Sequence, residues 1–237
     1  MHMGSVGLLY VGAVLAINGL MLLGYVEARS AAPLNLFVGA LQVVTPTYLI
    51  FTAGGDEATI LAASGLYLFG FTYLYVGINL LAGLDGTGLG WFSGFVALAA
   101  VVYAGLNFFY VTPRDPAFGV IWLYWAVLWG LFLLTLGLRR EEFTRYTGGV
   151  ALVAGIVTAA IPAFLLLTGQ WTGHVNQWAV ALAVIEVASL LLLIPLRTRW
   201  TAPAQLPESE PVVAGEVPGP RGSAPEDARR STGPRVR

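Results

Sequence analysis

The chain carries one four-residue motif three times, as Leu9-Tyr10-Val11-Gly12, Leu74-Tyr75-Val76-Gly77 and Leu123-Tyr124-Trp125-Ala126. Each copy lies near the middle of a long apolar segment. A second motif alternates with the first and reads Phe37-Val38-Gly39-Ala40-Leu41, Phe95-Val96-Ala97-Leu98 and Gly149-Val150-Ala151-Leu152. Two alternating helix types, each present three times, predict a helical hairpin copied threefold. Internal repeats of membrane proteins often place the solute site between the copies.

The composition indicates a membrane protein. Hydrophobic residues make up 57% of the chain and charged residues only 11%, and the mean hydropathy is +0.75. A soluble domain averages about 25% charged residues. The net charge of -1 gives no reason to expect nucleic acid as a partner. Since there is no cysteine, disulfides, thiolate metal sites and a cysteine nucleophile are excluded.

Seven apolar segments are long enough to cross a bilayer, which takes roughly 20 residues per helix. They are residues 5–24, 33–53, 58–82, 91–111, 118–138, 147–168 and 175–196. We therefore predict an all-α polytopic membrane protein with three helical hairpins around a pore and one extra C-terminal helix. The predicted parts are a six-helix channel core (1–171), a seventh transmembrane helix (172–199) and a disordered cytoplasmic tail (200–237). Seven prolines and few large apolar residues characterise that tail.

Arginines are unevenly distributed between the short loops on the two sides of the membrane. One side carries Arg29, Arg139, Arg140, Arg145, Arg197 and Arg199, and the other carries only Arg114. Because short cytoplasmic loops are enriched in basic residues, we expect the N-terminus outside and the C-terminus in the cytoplasm. The Ala-, Gly- and Val-rich composition with arginine as the only basic residue type favours a bacterial cytoplasmic (inner) membrane.

The first six spans contain neutral polar residues but no acidic or basic ones. Polar residues inside these spans include Asn18, Asn35, Gln42, Thr45, Thr72, Asn79, Asn107 and Thr158. This set offers neither an ion pathway nor a proton relay, and it suits a small neutral solute. The sequence has no metal-ligand cluster, nucleophile elbow or phosphate-binding loop, so we expect no catalytic residues, no metal, no cofactor and no enzyme activity.

Three stripes of residues lie on the odd-numbered helices. Their members are Leu8, Val11, Leu15 and Asn18 on the first helix, Phe71 and Tyr75 on the third, and Trp122, Trp125 and Trp129 on the fifth. Helical spacing puts each stripe on one face. If the three faces converge, ring faces could hold a flat amide while Asn or Tyr edges bind its polar atoms. Spacing alone leaves open a packed aromatic core, and residues such as Asn18 and Asn79 more often form interhelical hydrogen bonds than solute contacts.

Glu186 is the one acidic residue inside a span, in the seventh helix. An intramembrane carboxylate is a functional candidate by default, although Glu186 has no basic partner at its depth. A proton-coupled amide transporter that uses Glu186 is therefore an alternative to a passive channel. A second alternative is a membrane receptor or scaffold that acts through its tail.

The sequence resembles the AmiS/UreI family of amide and urea channels. The first and third helices carry the matching blocks Leu8-Leu9-Tyr10-Val11-Gly12, Asn18-Gly19, Phe69-Gly70-Phe71-Thr72-Tyr73-Leu74-Tyr75, Ile78-Asn79 and Gly83-Leu84-Asp85. The fifth and sixth helices carry Ile121-Trp122-Leu123, Trp125, Val127-Leu128-Trp129, Gly155, Thr158-Ala159 and Ile161-Pro162-Ala163. Together these blocks extend over roughly residues 5–171.

The resemblance implies a ring of six protomers, each with its own pore, which passes urea or short-chain aliphatic amides without energy coupling. It also implies a functional link to a cytoplasmic amidase. Carried over by motif, the pore residues are Leu8, Val11, Leu15, Asn18, Phe71, Tyr75, Trp122, Trp125 and Trp129.

Three features of this chain differ from the acid-gated members of that family. The loop between the second and third spans, residues 53–58, is short and has no histidine, whereas the gated members carry longer, His-rich external loops. Ala154 stands where the gated members have a carboxylate. We therefore expect a channel that is open at neutral pH. The chain also adds a seventh helix and a tail, about which the resemblance says nothing.

Overall fold

A computed structural model describes residues 2–197, and all the regular structure in this range is helical. The α-helices are α1 (His2–Leu23), α2 (Ala28–Thr52), α3 (Glu57–Ala82), α4 (Thr87–Phe109), α5 (Pro116–Phe132), α6 (Thr144–Val153), α7 (Ile161–Leu167) and α8 (Val175–Leu192). Seven spans are long and apolar enough to cross a membrane, which confirms the predicted all-α class. The predicted tail lies outside the described residues, and the predicted boundaries between the three parts stay a prediction.

Two spans contain π-helical segments. The fifth span continues from α5 into the π segment Leu133–Gly137. The sixth span consists of α6 and α7, which the π segment Ala154–Ala160 joins. Pro162 is the second residue of α7 and has no N–H to donate to the carbonyl of Thr158, so the regular hydrogen-bond ladder is interrupted here. A π segment rotates the residues after it relative to those before it, and such segments are frequent at functional sites.

The helices close into a ring through contacts between successive hairpins. The largest helix–helix contacts join α2 to α3, α4 to α5, and α1 to the sixth span. The last of these joins the first and last helices of the six-helix repeat. Side chains of α1, α3 and α5 meet at the centre of the bundle and contribute to its hydrophobic core.

Glycines allow the backbones to approach closely at each of these three interfaces. Gly12 of α1 faces Gly155 so closely that a Cβ on Gly12 would lie 2.7 Å from the Gly155 carbonyl oxygen. Gly70 meets the backbone of Gln42 on α2, and Gly90 of α4 meets Gly137. Lipid tails are as apolar as Leu, so the packing of small residues, rather than the hydrophobic effect, drives association of helices in a membrane.

Helix α8 packs on the outside of this ring. It lies mainly against α5, where its Ser189 hydroxyl and the Tyr124 hydroxyl are 2.8 Å apart. The Tyr146 hydroxyl of α6 also donates to the Leu190 carbonyl oxygen at 2.9 Å. Only Leu182 and Glu186 of α8 are buried, so most of its surface is free to face lipid.

We expect Gly12→Ala to destabilise the fold. The added methyl group would press on the backbone of the sixth span, which cannot give way as a side-chain end can, and such overpacking costs about 1–3 kcal/mol. Gly105→Ala on α4 is the matched control, because a Cβ there meets nothing within 4 Å. Thermal unfolding of both variants in the same detergent measures the difference. Equal midpoints for the two variants would contradict the close contact between α1 and the sixth span.

Candidate functional site

An aromatic cluster centred on Phe69 occupies the middle of the bundle. The Phe69 ring lies 4.7 Å from the Trp125 ring and 4.9 Å from the Trp129 ring, centroid to centroid, and meets both edge to face. Trp122 meets Trp125 edge to face at 4.9 Å, and Tyr103 stacks on Trp122 at 4.6 Å. Contacts of this kind stabilise by about 0.5–1.5 kcal/mol each beyond the buried area. The rings therefore form one rigid, mutually supported group.

A hydrogen bond to the π segment fixes the position of Trp125. The indole N–H of Trp125 donates to the Thr158 hydroxyl at 2.8 Å, and this hydroxyl donates in turn to the Ala154 carbonyl oxygen at 2.6 Å. All three groups are buried. The indole N–H is thus already paired and is not free to bind a solute in this conformation.

A small cavity lies beside the aromatic cluster, between α1, α3, α4 and α5. Trp125 and Trp129 form one wall of it, and Phe69, Thr72 and Tyr73 form another. None of its lining residues is charged. The volume within which the centre of a water molecule can move is about 20 Å³. The cavity therefore holds roughly one or two water molecules. An amide is larger, so its passage requires lining side chains to move.

The polar groups at the cavity are mostly committed to partners. Asn18 and Asn35 form a reciprocal amide pair, in which the two distances between donor nitrogen and acceptor oxygen are 2.9 and 2.7 Å. The hydroxyls of Thr72 and Ser93 donate to carbonyl oxygens of their own helices. The Tyr73 hydroxyl is buried without a partner and is the one free polar side-chain group among the lining residues.

The structure brings seven of the nine predicted site residues into the interior of the bundle. Leu8, Val11, Leu15 and Asn18 of α1 are all buried, and so are Trp122, Trp125 and Trp129 of α5. Of these, Leu15, Asn18, Trp125 and Trp129 line the cavity. Whether a solute contacts these residues stays a prediction.

The other two predicted residues, Phe71 and Tyr75, do not lie in the aromatic cluster. Phe71 is 50% exposed and stacks on Tyr67 at the outside of the bundle. Tyr75 is half-buried, with its hydroxyl next to Gly88 of α4. Phe69 and Tyr73 are the aromatic residues of α3 that are buried at the cavity in this structure. Whether a solute contacts Phe71 or Tyr75 stays a prediction. Positions 69 and 71 differ by about 200° around the helix, so only one pair can face the centre.

The aromatic cluster itself has no open slot between its rings in this structure. Trp125 meets both Phe69 and Trp122 edge to face, and Phe69 lies tilted to Trp122 at 6.0 Å between centroids, which leaves no gap for a flat molecule between these three rings. The open space lies beside the cluster instead. The residues that the sequence reasoning missed are Phe69 and Tyr73. The signal for them was present in the glycines Gly70 and Gly77, which mark the side of α3 that packs on α2.

Glu186 lies away from the cavity, behind α5. It is 5% exposed, and one of its carboxyl oxygens has no hydrogen-bond partner. The Ser189 hydroxyl donates to the backbone carbonyl oxygen of Glu186 at 2.7 Å and lies 2.8 Å from the Tyr124 hydroxyl of α5. Glu186 is not among the residues that line the cavity.

A multi-pass helical bundle with an uncharged central cavity is the architecture of a membrane transport protein. The chain belongs to the AmiS/UreI family of transporters, whose model matches residues 3–170. A protein of Rhodococcus erythropolis named as an AmiS2 transporter is 56% identical over 211 residues, which cover 89% of this chain and 99% of that protein. A Mycolicibacterium smegmatis protein, named as a transporter of amidate substrates, is 56% identical over 85% of this chain and 93% of its own length.

The fold also matches a solved structure. The crystal structure of the Helicobacter pylori urea channel superposes with a TM-score of 0.64 at 35% identity and covers 73% of this chain and 100% of that one. The alignment with the Rhodococcus protein is 211 residues long and is therefore longer than the family match to residues 3–170. Helix α8 therefore lies outside the family match and within the likeness to that relative.

We expect Phe69→Ala to enlarge the cavity, and thus to raise the permeability to propionamide relative to urea by about tenfold, which corresponds to about 1.4 kcal/mol of barrier. Phe71→Ala is the matched control, because it removes an equal ring from the outer face of the same helix. Reconstituted vesicles and stopped-flow light scattering give both permeabilities. If Phe69→Ala is poorly folded, Phe69→Leu replaces it. A selectivity change in Phe71→Ala alone would contradict the placement of these rings.

Proposed function

We propose that this protein is a passive channel for urea and short-chain aliphatic amides. The observation that carries the proposal is the cavity between α1, α3, α4 and α5, whose lining has no charged residue and combines aromatic walls with a free tyrosine hydroxyl. Family membership and the relatives named for amide and urea transport support it. We place the protein in a bacterial cytoplasmic membrane with its N-terminus outside.

The main barrier to passage is loss of water from the solute. A polar group that leaves water without a hydrogen-bond partner costs about 2–7 kcal/mol. The free Tyr73 hydroxyl and the edges of the Asn18 amide would offset part of this cost, while the rings of Trp125 and Trp129 give apolar contact. An ion would lose its hydration shell and gain no charged or carbonyl ligands in return, so small neutral molecules are favoured.

The proposed path follows the buried stripes of α1 and α5. It would run along Leu8, Val11, Leu15 and Asn18 on one side and Trp122, Trp125 and Trp129 on the other, with Phe69 and Tyr73 completing the wall. By family resemblance we further propose a homo-oligomer of six subunits, each with its own path, and a functional link to a cytoplasmic amidase. No nucleic acid and no cofactor enters this proposal.

Reconstitution tests the proposed function directly. In vesicles with the purified protein we expect acetamide and urea to enter faster than in protein-free vesicles, with no accumulation against a gradient. The same measurement at pH 5 and pH 7.5 tests for gating. Shrinkage and reswelling rates equal to those of protein-free vesicles would contradict the channel.

We expect similar fluxes at the two pH values. The turn between α2 and α3 has no histidine, and hydrogen bonds from the Thr59 hydroxyl and amide lower the pKa of Asp56 below its usual value. Because this pKa is lowered, Asp56 keeps its negative charge as the pH falls to 5. The two histidines of the chain are too few for a pH-sensing cluster. A steep rise in urea flux on acidification would contradict this prediction.

The proton-coupled alternative is tested by Glu186→Gln. Since Glu186 lies behind α5 and not at the cavity, we expect the amide flux of this variant to equal that of the unaltered protein. The glutamine keeps the shape of the side chain and removes its charge. Uphill accumulation of acetamide under a proton gradient, abolished by Glu186→Gln, would favour the transporter instead.

A further inference from the structure

One buried amide near the cavity has no hydrogen-bond partner. Asn79 of α3 is 8% exposed, and neither its Nδ2 nor its Oδ1 is paired. By contrast, the Asn18 amide, which lines the cavity, donates one hydrogen bond to Asn35 and accepts one from it. Asn79 therefore has its full hydrogen-bonding capacity available, unlike the polar side chains of α1 and α4 at the cavity.

Helix geometry places Asn79 on the face of α3 that lines the cavity. It follows Thr72 by seven residues and Val76 by three, and both of these line the cavity. Seven residues are close to two full turns of an α-helix, so Asn79 lies about two turns further along almost the same line as Thr72. It is thus placed at the end of the cavity where α3 ends and α4 begins.

An unpaired amide at this depth calls for an explanation. Both amide atoms are buried inside the bundle, away from bulk water, and buried polar groups of native proteins nearly always have partners. A side chain that packs only against its neighbours would gain nothing from an amide there. A solute that passes along this face and pairs with the amide for part of the time accounts for both its burial and its free donors and acceptor.

The protein itself contains the pairing that such a solute would make. Asn18 and Asn35 present an N–H and a carbonyl oxygen to each other side by side and form two hydrogen bonds, of 2.9 and 2.7 Å. A primary carboxamide or urea has the same donor and acceptor on one edge. We propose that Asn79 is a subsite for this edge and forms a reciprocal amide pair with the solute as it leaves the cavity.

This subsite rests on the proposed channel function and makes it more specific. It selects solutes in which an N–H and a carbonyl oxygen point the same way, such as acetamide and urea. N-methylformamide, an isomer of acetamide, is a sharp contrast. Its secondary amide is mainly trans, which turns the N–H away from the carbonyl oxygen and prevents the reciprocal pair.

The test compares acetamide with N-methylformamide in vesicles that contain the full chain. We expect Asn79→Leu, which removes the amide at similar volume, to lower the acetamide permeability about tenfold and to leave that of N-methylformamide unchanged. Asn107→Leu is the matched control, because Asn107 of α4 is half-buried and pairs only with the Tyr103 carbonyl oxygen of its own helix. This control should leave the ratio of the two permeabilities unchanged.

The possible outcomes separate the subsite from the channel. If Asn79→Leu lowers both permeabilities equally, or lowers thermal stability with no change in their ratio, Asn79 is structural and the proposal is overturned while the channel remains. If the unaltered protein passes no acetamide, the proposed function itself fails. Should Asn79→Leu not yield monodisperse protein, Asn79→Ala is measured in its place, and the same fall in the ratio is required.

Discussion

Close backbone packing of α1 on the sixth span is the contact on which the rest of the architecture depends. Gly12 and Gly155 meet there with no room for a side chain, and this contact closes the ring of hairpins. Closure brings Leu15 and Asn18 of α1 opposite Trp125 of α5. The same span supplies Thr158, from its π segment, as the hydrogen-bond partner of Trp125. One helix thus both closes the ring and orients the central indole.

The buried polar groups of this bundle are of two kinds, those with a hydrogen-bond partner in the protein and those without one. Some are paired within the protein: Asn18 with Asn35, Trp125 with Thr158, and Thr72 with the backbone of its own helix. Since unpaired polar groups are costly away from water, these pairs stabilise the scaffold. The Tyr73 hydroxyl and the Asn79 amide stay unpaired on the cavity side of α3. Since Gln42, Thr147 and Glu186 also have buried side-chain atoms without a partner, what sets the two α3 groups apart is their place on the face of α3 that lines the cavity.

Helix α8 distinguishes this chain from the urea channel whose fold it shares. The structural alignment covers 100% of that channel but only 73% of this chain. Helix α8 packs behind α5 through Tyr124 and Ser189, and it buries Glu186 on the side away from the cavity. It therefore supports α5 from outside and does not contribute to the cavity. The sequence likeness to the Rhodococcus relative extends into this region.

The sequence by itself determined the seven spans, the family and the inward faces of α1 and α5, because length, hydropathy and helical spacing depend only on the order of residues. It did not determine which face of α3 turns inward. Phe69 with Tyr73 and Phe71 with Tyr75 have the same spacing and the same chemistry, so spacing cannot choose between them. The packing of α3 on α2 determines this orientation. Because Gly70 and Gly77 must face α2 for the two helices to approach closely, Phe69 faces the interior of the bundle and Phe71 faces its outside. Edge-to-face contact of the rings is likewise a result of the tertiary structure, since it depends on three helices meeting at one point.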